Sequence, residues 1–156
     1  MTVAESLARP LLAGIFVYGG IDALRHAPTK VDVAQPLLGP LSAATGLSPE
    51  RLVAVNGGIQ VVAGVALAAG IFPRPAAAVL ALSLVPTTLG GHRFWEHSDE
   101  QGRRGNVLHF LKNASALGGL VLAATSTGGR PSVPWRARRA AGRVVATTSE
   151  ALHRGE

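Results

Sequence analysis

Polar and apolar residues are sorted into long blocks along this chain. Pro10–Ile21 carries no charge, Leu52–Pro73 carries none, and long apolar runs flank the polar stretch from Pro86 to Asn113. Uncharged blocks of such length predict helices rather than strands. Four are expected, over residues 6–24, 51–72, 75–95 and 106–125. The second has the clearest start: Ser48 caps the free amides, Pro49 suits the first helical position, and Glu50 suits the positive end of the helix dipole. Pro73-Arg74-Pro75 predicts a tight turn into the third helix, and Pro86 an internal kink. Between the first two helices, His26–Ser48 reads as a connector. Pro28, Pro36 and Pro40 argue against a long helix there, and Val33, Leu37, Leu38 and Leu41 would lay it, as a loop or a short interfacial helix, on a membrane surface or over the helices. Glu96–Gly105 reads as a polar loop.

An uncharged run of about 20 residues is long enough to cross a hydrocarbon core of roughly 30 Å. Short connections make successive helices antiparallel. The expected fold class is therefore all-α: an integral membrane four-helix up-down bundle over 1–129, with a basic tail over 130–156 that is an interfacial helix or disordered. Gly57, Gly64 and neighbouring alanines would allow close helix approach.

Composition supports that reading. Only 15% of the 156 residues are charged, against about 25% in an average soluble domain. The formal charge of +6 comes mostly from arginine. Six arginines (Arg130, Arg136, Arg138, Arg139, Arg143, Arg154) lie in the tail. They are not interleaved with aromatics on a polar surface, so a membrane orientation signal and anionic lipid explain them better than nucleic acid. Lys and Arg are nearly balanced between the two sides, and the tail cluster places both termini in the cytoplasm. The apolar run after Arg9 is followed by Asp22 and Arg25 instead of a small-residue cleavage site, so it is expected to be retained. The absence of cysteine excludes thiol exchange, disulfides and iron–sulfur ligation by this chain itself.

The polar residues inside the helices fall on single faces. Asp22 and Arg25 end the first helix. Asn56 and Gln60, at i and i+4, lie near the start of the second. Thr88, His92 and Glu96 end the third, and Lys112 and Asn113 lie in the first half of the fourth. In an antiparallel bundle these sets meet at one end. Gln60 lies about 13 Å past Arg51 at the helical rise of 1.5 Å per residue, too deep to face lipid cheaply. A polar pocket on the outer side is expected, built from Asp22, Arg25, Asn56, Gln60, Thr88, His92, Glu96, Lys112 and Asn113. Asp22 is expected to pair with Arg25 or Lys112, and His92 with Glu96. The bland alternatives are that Asn56 and Gln60 only join helices, that Lys112 snorkels, and that His92, Phe94 and Trp95 belong to an interfacial belt. No metal site is expected: HExxH is absent, no ExxH pattern lies inside the expected helices, and nucleotide-binding and GxSxG motifs are absent.

RPLLAGIFVYGGIDALRH, NGGIQVVAGVALAAG, PTTLGGHRFWE and FLKNASALGGLVLA together resemble the DoxX family of small four-helix bacterial membrane proteins. The resemblance covers about residues 6–126. It implies a multi-pass inner-membrane protein connected with redox or oxidative-stress assemblies, other membrane redox proteins as partners, and quinone as a candidate ligand. Two rival expectations stand beside it: a non-catalytic accessory or assembly subunit, and a small-solute transporter, the latter weakened by the lack of an inverted repeat.

Overall fold

The structure is a computed structural model that describes residues 3–91, 94–96, 99–126 and 139, without the side chain of Glu96. The expectations for His92, for the Glu96 side chain and for the tail beyond Ser126, Arg139 apart, fall outside these residues. The described elements are α1 (Val3–Arg25), α2 (Ala27–Thr45), α3 (Pro49–Ala68), α4 (Pro73–Gly91), a 3-10 turn at Phe94–Glu96, and α5 (Glu100–Thr125). All belong to one compact unit, Met1–Thr125; Ser126–Glu156 forms a second unit. Among the described residues the protein is all-helical.

The seam between α1 and α3 is made by missing side chains. A Cβ on Gly20 would lie 2.6 Å from the Gly57 carbonyl oxygen, and one on Gly57 would lie 2.8 Å from that of Gly20. Gly64 meets Val17 and Ala13 in the same way. Residue 20 opposite 57, and 13 and 17 opposite 64, make the two helices antiparallel. Hydrogen bonds from Asn56 to Thr87 and from Gln60 to Ser83 give the same sense to α3 and α4. Asn113 bonding Thr88, and Arg74 bonding the Ala124 carbonyl, give it to α4 and α5.

The connector is a helix, which corrects the expectation from its prolines. Pro28 sits in the first turn of α2, where no intrahelical N–H is needed. Pro36 and Pro40 are four residues apart, on one exposed face. Each proline lacks an N–H and leaves a carbonyl one turn earlier without its partner, and on an outer face water can supply that bond. The opposite face packs inward: Leu38 is buried, and Leu37 and Ala34 lie against Gly90 of α4. Gly46, at φ +71°, ends the helix, its N–H donating to the Ser42 carbonyl. The end of α1, the start of α3 and the end of α4 share one end of the molecule, and α2 lies over it.

Boundaries shift for local reasons. Ser48 accepts from the Arg51 N–H at the start of α3, as its sequence predicts. α3 stops at Ala68, not 72, because Gly70 and Phe72 take positive φ and turn the chain directly into Pro73. α5 begins at Glu100, six residues earlier than the expected 106. Asp99 caps it: its Oδ2 accepts the Gly102 N–H at 2.7 Å and its carbonyl accepts the Arg103 N–H. Glu100 and Arg104 then pair across one turn.

Away from the α2 end, the interior is apolar. Leu67, Leu80 and Leu120 are fully buried beside Ala13, Phe16, Ala63, Ala76, Ala77 and Leu84. Large apolar side chains such as Leu11, Val62, Leu82 and Leu122 are more than two-thirds exposed, as lipid-facing residues are. Three helices, Val3–Arg25, Pro49–Ala68 and Glu100–Thr125, are long and apolar enough to cross a membrane. The sequence reading expected four. α4 is not among the three: Arg74 above all, with Pro73, Pro75, Ser83, Pro86, Thr87 and Thr88, lowers its hydropathy.

Candidate functional site

Two polar pairs face each other across α3 and α4. Asn56 and Gln60 are one turn apart on α3, and Ser83 and Thr87 one turn apart on α4. In antiparallel register they mesh. The Ser83 hydroxyl donates to Asn56 Oδ1 at 2.8 Å, and Asn56 Nδ2 donates to Thr87 Oγ1 at 3.1 Å. Gln60 Nε2 donates to Ser83 Oγ at 3.1 Å and to Thr87 Oγ1 at 3.3 Å. Thr87 donates to the Ser83 carbonyl at 2.9 Å. One turn along α4, Thr88 donates to the Leu84 carbonyl at 2.8 Å and accepts from Asn113 Nδ2 of α5 at 3.1 Å. Gln60 and Asn113 are each 6% exposed, so the Gln60–Ser83 and Asn113–Thr88 bonds are made away from bulk water, whereas Thr87 and its bond from Asn56 lie on the exposed side. Such bonds between membrane helices are each worth about 0.6–2 kcal/mol.

A crevice of about 130 Å³ opens against this network. Ile15, Phe16 and Gly19 of α1, Gln60 of α3, Leu84 and Thr87 of α4, and Lys112, Asn113 and Ala116 of α5 line it. Most of its wall is apolar, the polar groups converge on one region, and Lys112 adds a cation. Small-molecule sites share this mix of an apolar wall and a few convergent polar groups, at volumes of about 300–1,000 Å³, and the crevice is well below that size.

The sequence-predicted residues divide into three groups. Gln60, Lys112 and Asn113 line the crevice, while Asn56 and Thr88 stand behind it as hydrogen-bond partners. Asp22 and Arg25 lie elsewhere, at the corner between α1 and α2. There Asp22 Oδ1 is 2.9 Å from His26 Nδ1, and Asp22 Oδ2 accepts from Lys30 Nζ. These replace the expected pairing with Arg25 or Lys112: His26 follows Asp22 by one turn, and helical α2 brings Lys30 back over it. Lys112 has no hydrogen-bond or ion-pair partner among the described residues. Phe94 and Trp95 pack edge-on with Phe110 of α5, ring centroids 5.1–6.5 Å apart, closing the α4–α5 corner.

Ser83 and Thr87 were missed in the sequence. The available signal was a second i, i+4 polar pair in an apolar helix, facing Asn56 and Gln60 once the helices are antiparallel. Among the described residues no group of three or more His, Asp or Glu side chains converges.

No curated protein and no solved structure matches the chain. The DoxX family profile matches residues 4–93, from the start of α1 past the end of α4. That stretch contains the α1–α3 glycine seam and the Asn56–Gln60–Ser83–Thr87 network. It covers more than half of the chain, and this membrane protein belongs to the DoxX family.

Proposed function

We propose that this chain is a multi-pass membrane subunit of a redox-related assembly, and that its crevice holds the polar head of a small amphipathic ligand of the quinone class. The supporting observation is the convergence of Gln60, Thr87, Lys112 and Asn113, from three helices, on one largely apolar crevice of about 130 Å³. At about 130 Å³ the crevice is a little smaller than the roughly 150 Å³ cavity that takes up a benzene ring, so it would hold part of one six-membered ring whose remainder stays at the open mouth. The apolar wall of Ile15, Phe16, Leu84 and Ala116 suits a ring and the root of an alkyl tail. In this reading α4 is a fourth span and the four long helices form an up-down bundle over 1–129. Both termini are cytoplasmic, in a bacterial inner membrane, with the basic tail over 130–156 against anionic lipid. The redox link rests on the family. The ligand rests on the crevice.

The test is extraction of the full chain purified with its native lipids. Mass spectrometry should find a quinone that co-purifies with the wild type and falls at least severalfold in Lys112→Ala. Absence of any co-purifying quinone from the wild type would refute the ligand.

A second reading has its own support. Every side-chain hydrogen bond donated by Asn56, Ser83, Gln60 and Thr87 goes to another member of the set or to the backbone, which is how interhelical bonds lock a membrane bundle. An accessory subunit would need no more. It predicts that Lys112→Ala changes nothing but the yield of a co-purified protein partner.

A further inference from the structure

The hydrogen-bond network fixes which way the two buried amides point, and so which chemistry the crevice accepts. A hydroxyl has one proton to donate. That of Thr87 goes to the Ser83 carbonyl, that of Ser83 to Asn56 Oδ1, and that of Thr88 to the Leu84 carbonyl. Toward Gln60 and Asn113 these three oxygens can therefore only accept. Gln60 must turn its NH2 to Ser83 and Thr87, and Asn113 must turn its NH2 to Thr88, as they do. The amide orientation, which is often assigned by choice, is here dictated by proton count.

The consequence is that both amides keep a carbonyl oxygen that the network does not use, on residues that line the crevice. Among the described residues no protein donor reaches Gln60 Oε1 or Asn113 Oδ1. Neither oxygen is sealed off without a partner, although both residues are 94% buried by their 6% exposure. Gln60 Oε1 faces Gly19, another lining residue, 3.8 Å from where a Cβ on that glycine would stand. The crevice thus offers two acceptors and, in the Lys112 ammonium, a donor.

Resting on the ligand site proposed above, we infer that the crevice selects a head group bearing O–H donors over one bearing only carbonyl oxygens: for a quinone-class ligand, the hydroquinone over the quinone. A hydroquinone gives its O–H protons to Gln60 Oε1 and Asn113 Oδ1, and its oxygen accepts from Lys112. A quinone has no proton to give, and it sets its carbonyl oxygens against two buried oxygens that then stay unpaired.

The test uses the full chain in phosphatidylcholine nanodiscs with two probes, decylhydroquinone and decylbenzoquinone, under argon, corrected for partition into empty discs. The two share a ring and a tail. The hydroquinone should bind at least about tenfold more tightly, the size of one unpaired buried acceptor. Gly19→Ala places one methyl in front of Gln60 Oε1, with no other non-local atom within 4 Å, so the fold and the network stay intact. It should weaken hydroquinone binding severalfold while thermal stability holds or rises. Equal or tighter binding of the quinone overturns the selectivity and leaves the ligand site standing. Failure of both probes to bind the wild type overturns both. Hydroquinone binding to Gly19→Ala at wild-type strength overturns the placement at Gln60.

Discussion

The two ends of the helical unit are held by different physics. At the end away from α2, Leu67, Leu80 and Leu120 are fully buried among alanines, with no polar side chain between them. Toward the α2 end, six amides and hydroxyls on α3, α4 and α5 are joined by directional bonds. Lipid tails are as apolar as leucine, so the first end gains from shape alone and any well-fitting packing would serve. The second end tolerates one register only, because each donor there must meet its acceptor. The glycine seam of α1 and α3 runs past both ends and sets the distance at which either can form.

The largest effect is therefore expected at the seam. Gly57→Leu pushes a side chain into the Gly20 carbonyl and the Ala23 methyl. Backbone cannot move aside, so the cost should exceed the roughly 1–3 kcal/mol of ordinary overpacking, and the folded protein should be lost from detergent extracts. Gly58→Leu is its control. A Cβ there meets nothing within 4 Å, and folding yield should match the wild type. Equal losses in the two variants would mean that helix propensity, not close approach, limits folding.

Leu80→Ala comes next. The side chain is fully buried at the centre of the apolar end, and a cavity there should cost about 2–5 kcal/mol, less if the helices close on it. Reversible unfolding in mixed micelles would measure it. At the other end Ser83→Ala removes the donor to Asn56 and an acceptor for Gln60. The expected loss is smaller, about 0.6–2 kcal/mol, because Gln60 keeps its bond to Thr87 and its orientation. If Ser83→Ala cost more than Leu80→Ala, the polar end rather than the apolar one would be the main source of stability.

How much of this was legible in the sequence follows the same division. Apolar blocks located α1, α3 and α5, and Ser48-Pro49-Glu50 marked the start of α3 because caps act locally. α2 was not legible: the cost of Pro36 and Pro40 depends on which face they occupy, and only the packing of Leu37 and Leu38 on α3 and α4 determines that. Asp99 as the cap of α5 was legible in principle, since an acidic cap followed by Glu100 and Arg104 is a standard helix opening. Of the site, Gln60, Lys112 and Asn113 could be found from depth and helical face. Ser83 and Thr87 could not be chosen over Thr88 without the register between α3 and α4. Asp22 drew attention as a charge at a helix end, but its partner Lys30 reaches it only because the connector is helical.

That corner gives the smallest expected effect and the sharpest contrast with the crevice. Asp22, His26 and Lys30 form a cluster whose side chains are between 39% and 59% exposed. Ion pairs open to solvent contribute little, because attraction is screened and two long side chains must be held in place. Lys30→Met should leave unfolding unchanged within the error of measurement and should leave binding of either decyl probe unchanged. Lys112→Met removes one cation of the same kind from the crevice wall and should weaken hydroquinone binding several-fold at equal stability. The paired measurement separates contact at the crevice wall from an indirect effect of losing a lysine. If both variants weaken binding alike, the effect is indirect and the crevice has no special claim on the ligand.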